Sequence, residues 1–510
     1  MSNPDGKQDV EATATPTQEI PGSTEKIMDT KNIDQAALFL AQAEGYEDLT
    51  SKQEQRLKRK IDWIMIPMLF ITATLGAVDK VALSTAAIYG LQEDNGLHGQ
   101  QYSWLGSILS LGALVGMFPS SYLIHKFPAA KYLCTCSMAW SAMALLMPAC
   151  SSWSGLMALR FLMGAAEAII VPGISLIIAG WYKKSEQPPR NAFVFAAMSS
   201  VVNGFLSWAV GHISNDSPLA KWQYLYLIVG SISMSWSIFA FIFLPDTPMN
   251  AFFLTQQEKV FWVQRLAGNK TGIVNNVWKW DQVLEAVIDP KTWLIFFFNI
   301  AINIPNGGLT TFNGIIIKNL GFTSVQSSLL AMPTGVMSTL ASIGFSFLAA
   351  KWNDRRCFVT MIACVIPIVG TGVLYGVSRS NVPAQMVGLY LCYTYFGPYC
   401  VGISLAQANT AGHTKKNVQF AILYIGYAVG NLIGPQTFRA NQAPAYTGGV
   451  VAMLVCYCVC IGLMCAYWFY CVVLNRKVIP AAPVVEVDGA VVENFSDLTD
   501  FKQEGFKYTT

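Results

Sequence analysis

The chain has little charge. Of its 510 residues only 12% are Asp, Glu, Lys or Arg, while 53% are hydrophobic and the mean hydropathy is +0.41. Soluble globular domains carry about 25% charged residues, so a soluble fold is excluded and an integral membrane protein is predicted. No dense Lys/Arg run accompanies the net charge of +3, which argues against a nucleic-acid partner. Histidine is scarce: His98, His125, His212 and His413 stand alone, without HxxxH, HExxH or CxxC patterns. No metal, cofactor or enzymatic centre is therefore predicted. The first 50 or so residues lack the apolar core of a cleavable signal peptide.

Long apolar runs and cysteines are what the chain has. Most of the 12 cysteines fall inside apolar runs, where they read as small hydrophobes. Cys134, Cys136 and Cys471 lie near predicted membrane boundaries, where palmitoylation is an option. Windows of about 20 apolar residues give twelve candidate spans. They lie near 62–82, 102–124, 133–150, 155–181, 191–212, 222–244, 291–316, 326–349, 357–376, 383–409, 417–438 and 449–474. Ser51 with Glu54 predicts a capping box opening a basic helix that runs into the first span.

Lys and Arg gather in alternate loops, from Arg56, Lys58, Arg59 and Lys60 through Lys126 and Lys131, then Lys183, Lys184 and Arg190, then Lys351, Arg355 and Arg356, to Lys415, Lys416, Arg476 and Lys477. Positive residues accumulate on the cytoplasmic side, so both termini are predicted there. The sequons at Asn269 and Asn494 would then face the cytosol and Asn215 the outside.

A polar stretch divides the spans six and six, and the loops YLIHKFPAAKY and FLAAKWNDRRCF occupy matching places in the two sets. The predicted organisation is an all-α major facilitator fold: tail 1–60, six-helix half 61–244, linker 245–290, second half 291–474 and tail 475–510, with a site between the halves near the midplane. In the linker, Thr255 and Glu258 cap TQQEKVFWVQRLAG, whose Val260, Phe261, Val263 and Leu266 suit a membrane-surface helix as well as a solvated one.

Arg160 and Glu167 are the only charges between Ala158 and Trp181. Each costs roughly 2.5–3.5 kcal/mol at membrane depth, so a polar interior and a functional role are the default. Seven residues turn a helix by about 700°, nearly two turns, which places both on one stripe. Asp79 and Lys80 close the first span, and either could face a cavity. The seventh span clusters Asn303, Pro305, Asn306, Gly307 and Gly308, which predicts a weakened helix where two amides share a side. Further polar candidates are Asn203, Tyr393, Tyr395, Gln407, Tyr424, Tyr427 and Asn431. Pro172 with Gly173 and Gly434 with Pro435 are read as bends.

RKIDWIMIPML, VDKVALSTAAIYGL, QYSWLGSI, FPAAKYL, RFLMGAAEAIIVPG, WYKKSEQPPR, FLPDTP, NIPNGGLTTF, MPTGV and GPQTFRANQAP run through nearly the whole membrane portion. In these segments the chain resembles the fungal allantoate permease family, in the anion:cation symporter branch of the major facilitator superfamily. The resemblance implies uptake of small organic anions with protons, Glu167, Asp79 and Arg160 being the coupling residues. For solute it implies Lys80 and Arg160, joined from the residue reading by Asn303, Asn306, Asn203, Tyr393 and Gln407. Where related symporters have Arg the chain has Lys80, which keeps the charge and loses the bidentate fork.

The mechanism read from these residues is proton symport by alternating access. A solute carboxylate on Arg160 or Lys80 competes with Glu167 for positive charge, so anion and proton load together. The alternatives are a carrier of a cationic or neutral solute, to which Asp79 would answer, and a nutrient sensor that does not transport. A monomer in the plasma membrane is expected, with the vacuolar membrane as the other location.

Overall fold

The computed structural model describes residues 50–183, 186–195, 198–214, 216–267, 279–352, 354–477, 498–503 and 505–510. The sequons at Asn215, Asn269 and Asn494, residue Lys184 and the tail before residue 50 lie outside them. The described residues are helical, without strands. In chain order the α-helices of eight residues or more are α1 (Ser51–Ile88), α2 (Gln101–Lys126), α3 (Ala129–Leu146), α4 (Trp153–Glu167), α5 (Ile170–Trp181), α6 (Gln187–Val194), α7 (Ser199–Gly211) and α8 (Lys221–Phe243). After them come α9 (Gln256–Ala267), α10 (Trp280–Ile288), α11 (Pro290–Lys318), α12 (Ser324–Lys351), α13 (Arg356–Gly376), α14 (Val382–Cys392), α15 (Phe396–Ala408), α16 (His413–Ile433) and α17 (Thr447–Lys477).

Among the described residues nine helices are long and apolar enough to cross a membrane, and a tenth span results if α10 and α11, which meet at 62°, count as one. The two remaining predicted spans coincide with helices in shorter pieces, α6 with α7 and α14 with α15. Tyr393–Tyr395 forms a 3-10 turn between the latter pair.

Local chemistry explains most boundaries and corrects several predicted ones. The cap of α1 is Thr50, not Ser51: its N–H donates to Gln53 Oε1 at 2.9 Å, one residue ahead of the predicted box. Thr255 and Glu258 do cap α9 reciprocally, at 2.9 and 3.3 Å. That helix is packed rather than laid on a surface, since Val260, Trp262 and Val263 are buried and Trp262 Nε1 donates to the Trp181 carbonyl at 3.0 Å. The exposed apolar stripe belongs instead to α10, through Trp280, Leu284, Val287 and Ile288. The fourth span breaks at residues 168–169, ahead of Pro172, which has no N–H to give the Ala168 carbonyl. The seventh runs unbroken from Pro290 to Lys318 with Pro305 inside it.

Two close approaches set the bundle. A Cβ at Gly164 would lie 2.0 Å from the Leu109 carbonyl oxygen and one at Gly112 would lie 2.1 Å from that of Phe161, so α2 and α4 touch backbone to backbone. A Cβ at Gly307 would lie 2.7 Å from the Asn431 carbonyl oxygen, and one at Gly430 is equally near that of Ile300, which joins α11 to α16 in the same way.

The hydrogen bonds that link α1–α8 to α11–α17 gather at the end of the bundle away from the 244–290 connection. Lys318 Nζ and Ser324 Oγ donate to the Ile88 carbonyl at 3.0 and 2.7 Å, and Ser207 and Ser328 share a bond of 2.8 Å. Tyr102 donates to the Thr311 carbonyl at 2.6 Å and Ser107 to that of Leu432 at 2.7 Å.

The opposite end is held by ion pairs. Arg190 grips Asp62 through both Nε and Nη2 (2.8 and 2.7 Å), and Glu186 accepts from Lys58 at 2.7 Å and from Arg265 at 2.6 Å. Burial pushes the Glu186 carboxyl up, but hydrogen bonds from Arg265 and Lys58 prevail and hold it at about 2.

Candidate functional site

The buried residues of α4 are Leu156, Arg160, Met163, Gly164 and Glu167, the single stripe that the spacing predicts. Gly164 sits between the two charges and brings α2 into contact there, which keeps lipid away from both. Glu167 is the last residue of α4, at the break, so its side chain stands where the ladder is interrupted.

Arg160 and Glu167 do not pair with each other. Arg160 Nε donates to the Leu105 carbonyl and Nη1 to the Asp79 carbonyl, both at 3.3 Å. The cation facing Glu167 is Lys80, whose Nζ lies 3.8 Å from Oε2. Arg160 and Glu167 are buried, whereas the Lys80 side chain is 36% exposed. Lys80 is thus the least buried member of the set.

Among the described residues no hydrogen bond reaches either carboxylate oxygen of Asp79 or of Glu167. Buried polar groups are nearly always satisfied, and of these four acceptor atoms Glu167 Oε2 has Lys80 near it, at 3.8 Å. The Tyr226 hydroxyl is open too, and Asp79, Glu167 and Tyr226 all lie close enough to feel the charge on Arg160. Lys80, Arg160, Asp79 and Glu167 thus form one group of two cations and two carboxylates.

Lys80 and Arg160 open onto a small cavity between α1, α2, α4, α11 and α16. Gly106, Ser110, Thr310, Thr311, Tyr427 and Asn431 also line it. Two cations line it together with hydroxyls and the Asn431 amide, a surface that suits a small polar anion. Tyr427 continues into an aromatic row, its ring 6.0 Å from Tyr424 and 6.4 Å from Tyr399.

The predicted asparagines form a network. Asn306 Nδ2 donates to Asn303 Oδ1 at 3.1 Å, Asn431 Nδ2 approaches the same oxygen at 3.5 Å, and Tyr395 donates to Asn306 Oδ1. Asn303 is buried, with its amide on Asn299, so it braces Asn306 and Asn431 from behind the cavity. Asn203 is bonded to Thr85 at 3.2 Å and joins α7 to α1. Tyr393 donates to the Leu309 carbonyl at 3.3 Å. Neither lines the cavity. Gln407 lies exposed in the last turn of α15 and does not join the group, because the span breaks at the Tyr393–Tyr395 turn and its second piece runs on toward the ion-paired end.

Ser110, Thr310 and Thr311 escaped sequence reasoning, because hydroxyls are common packing groups in membrane helices and carry no signal alone. The one available hint is that Thr310 and Thr311 follow the glycine pair at 307–308 in a run already rich in polar groups.

Residues 68–435 match the family model described as Major Facilitator Superfamily. The chain is 40% identical over 484 residues to "MFS-type transporter cnsL" of Penicillium expansum, with 94% of each chain covered. It is 31% identical over 493 residues to "Allantoate permease" of Saccharomyces cerevisiae, covering 93% of this chain and 90% of that one. In fold it is similar to a bacterial homolog of the human lysosomal transporter Spinster, solved in an inward-facing and unoccupied conformation. The TM-score is 0.59 at 13% identity, over 80% of this chain and 96% of that one.

Proposed function

This chain belongs to the Major Facilitator Superfamily, and from that membership we propose that it imports a small organic anion together with protons by alternating access. It is a multi-pass integral membrane transporter, not an enzyme. The finer reading takes 61–244 and 291–474 as two six-helix halves, with the linker and both tails cytoplasmic. In that orientation a bundle sealed at the Ile88 and Lys318 end is the cytosol-facing state. The allantoate permease relative supports an allantoate-like carboxylate or vitamin-like acid as solute. The plasma membrane is the proposed location.

The observation that carries the reading is the position of Lys80, 3.8 Å from a buried Glu167 with open carboxylate oxygens and on the wall of a polar cavity. An empty site leaves Lys80 to Glu167. A solute carboxylate entering the cavity takes that positive charge, and Glu167, left buried with less compensation, takes a proton. Anion and proton are then bound together, and the pair crosses as a neutral addition to the site. Arg160 stays fixed on two carbonyls and supplies a constant positive field, while Asp79 is the second carboxylate able to hold the proton.

Reconstituted vesicles carrying a proton gradient test this, with labelled allantoate and a panel of small carboxylic acids as solutes. Glu167→Gln should lose uphill accumulation and keep exchange of internal for external solute. Persistent uphill accumulation in that variant would remove Glu167 from coupling, and no flux of any panel acid in the parent chain would remove the anion reading.

A further inference from the structure

Residues 498–503 and 505–510 pack beneath α10, α11, α16 and α17, although their sequence is that of a polar tail. Lys291 and Lys415 are both 0% exposed, and the Asp500 side chain, itself buried, bridges them: Lys415 Nζ is 2.8 Å from one oxygen and Lys291 Nζ pairs with the other. Asp289 completes the cluster, 3.1 Å from Lys415 and 3.5 Å from Lys291. Aromatic rings of the same segment cover the lysines. Lys291 lies 3.9 Å from the centre of the Tyr508 ring and Lys415 lies 3.8 Å from that of Phe501. The backbone is stitched as well: Thr509 exchanges bonds of 2.7 and 2.8 Å with Asn409, and Tyr508 exchanges two of 2.8 Å with Asn475.

The linker side of α1–α8 carries a counterpart. Arg265, in the segment that follows α8, bridges Glu54 in the first turn of α1 (2.6 Å) and Glu186 at the start of α6 (2.6 Å). Its guanidinium lies 4.6 Å from the centre of the Trp262 ring in its own segment. Asp500, in the segment that follows α17, bridges the start of α11 and the first turn of α16. In a duplicated bundle α1 corresponds to α11, α6 to α16 and α8 to α17, so the two devices occupy matching places with every charge reversed. The match extends to a third helix start. Asp246 accepts from the N–H groups of Ala130 and Lys131 at α3 (2.8 and 3.1 Å), and Lys507 pairs at 3.2 Å with Asp354, just ahead of α13.

We propose that the segment bearing Asp500, Phe501, Tyr508 and Thr509 is an intramolecular ligand of a dedicated site built on Lys291 and Lys415, which clips α11, α16 and α17 into one body, and that the segment around Arg265 does the same for α1, α6 and α8. The inference rests on the division into two halves made above. The reversal of charge gives each half its own closing segment. A carboxylate offered to Glu54 and Glu186, or a guanidinium offered to Lys291 and Lys415, meets like charge and is rejected.

Amide hydrogen exchange on the full chain tests the proposal and needs no solute, so failure of the transport reading leaves its outcome unaffected. Asp500→Asn should speed exchange at least tenfold in the first turns of α11 and α16 and leave α1 within twofold. Arg265→Gln should do the reverse. Unchanged rates at α11 and α16 in Asp500→Asn, or equal acceleration in α1, would overturn the proposal. If Asp500→Asn fails to fold, Tyr508→Phe keeps the ring and removes the hydroxyl that donates to Asp500 at 3.1 Å. It should speed the same amides about threefold, and no change there would equally refute the clip.

Discussion

Glu167 and Lys80 show at the level of single residues how the chemistry is divided. Glu167 is buried and Lys80 is partly exposed, and in the proposed mechanism the first holds the proton and the second meets the anion. Replacing Lys80 by Gln should lower kcat/KM for the transported acid by roughly 10- to 100-fold, since hydrogen bonds to charged groups contribute about 1.5–3 kcal/mol. Lys80→Arg keeps the charge and adds a fork that suits carboxylates, so its kcat/KM should stay within about threefold of the parent. Initial-rate measurements on the three chains check both, and a Lys80→Gln chain with parental kinetics would remove Lys80 from the site. The candidate pair Arg160 and Glu167 was legible because a charge in an apolar helix is rare and helical periodicity fixes its face. The partner of Glu167 was not, because pairing across helices depends on depth and side-chain direction that a linear pattern leaves open. Gln407 failed for a related reason: its polarity marked it, but its place in the last turn of α15 keeps it from the cavity.

Among helices, contact is decided by glycine and breaks are decided by backbone donors. Gly164 lets α2 approach the stripe that bears Arg160 and Glu167. A Cβ there would meet a carbonyl that cannot rotate away. Gly164→Val should therefore lower thermal stability in detergent by the equivalent of at least about 1–3 kcal/mol, the usual range for overpacking. Gly180→Ala, which meets nothing within 4 Å, should leave it unchanged. Equal melting of the two variants would refute backbone-to-backbone packing of α2 on α4. Span positions could be read from apolar windows because a membrane imposes length and composition together. The fate of each proline could not. Pro172 accompanies a break and Pro305 sits in an unbroken helix, and the difference lies in whether neighbouring helices brace the weakened turn. Around Pro305 that support comes from Gly307 against Asn431 and from the Asn303 network.

Across the whole molecule, one end of the bundle is stitched by direct hydrogen bonds between its first and second sets of helices. Ser207 and Ser328 face each other there at 2.8 Å. Changing both to Cys and oxidising should hold this end shut and reduce net flux below about a tenth of the parent, with full return on reduction. The parent chain treated identically controls for its own 12 cysteines. Quantitative cross-linking with undiminished flux would show that this end need not open. The proposed repeat of six helices rests on paired loops around a polar centre in the sequence. The clip at Asp500 was invisible, because a short, mostly polar stretch without periodicity reads as a tail, and only the fold brings Asp500, Phe501 and Tyr508 under two buried lysines.

The reversed charges of the two clips also determine where the chain tolerates being divided. Cut between residues 268 and 278, the first fragment retains Arg265 for its two glutamates and the second retains Asp500 for its two lysines. Cut ahead of Arg265, or ahead of Asp500, a fragment would lose the group that bridges its two helix starts, leaving Glu186 to Lys58 or the two lysines to Asp289 and Glu285. Each half thus travels with its own counter-charge, and reassembly from two separately made pieces has to form only the contacts between halves.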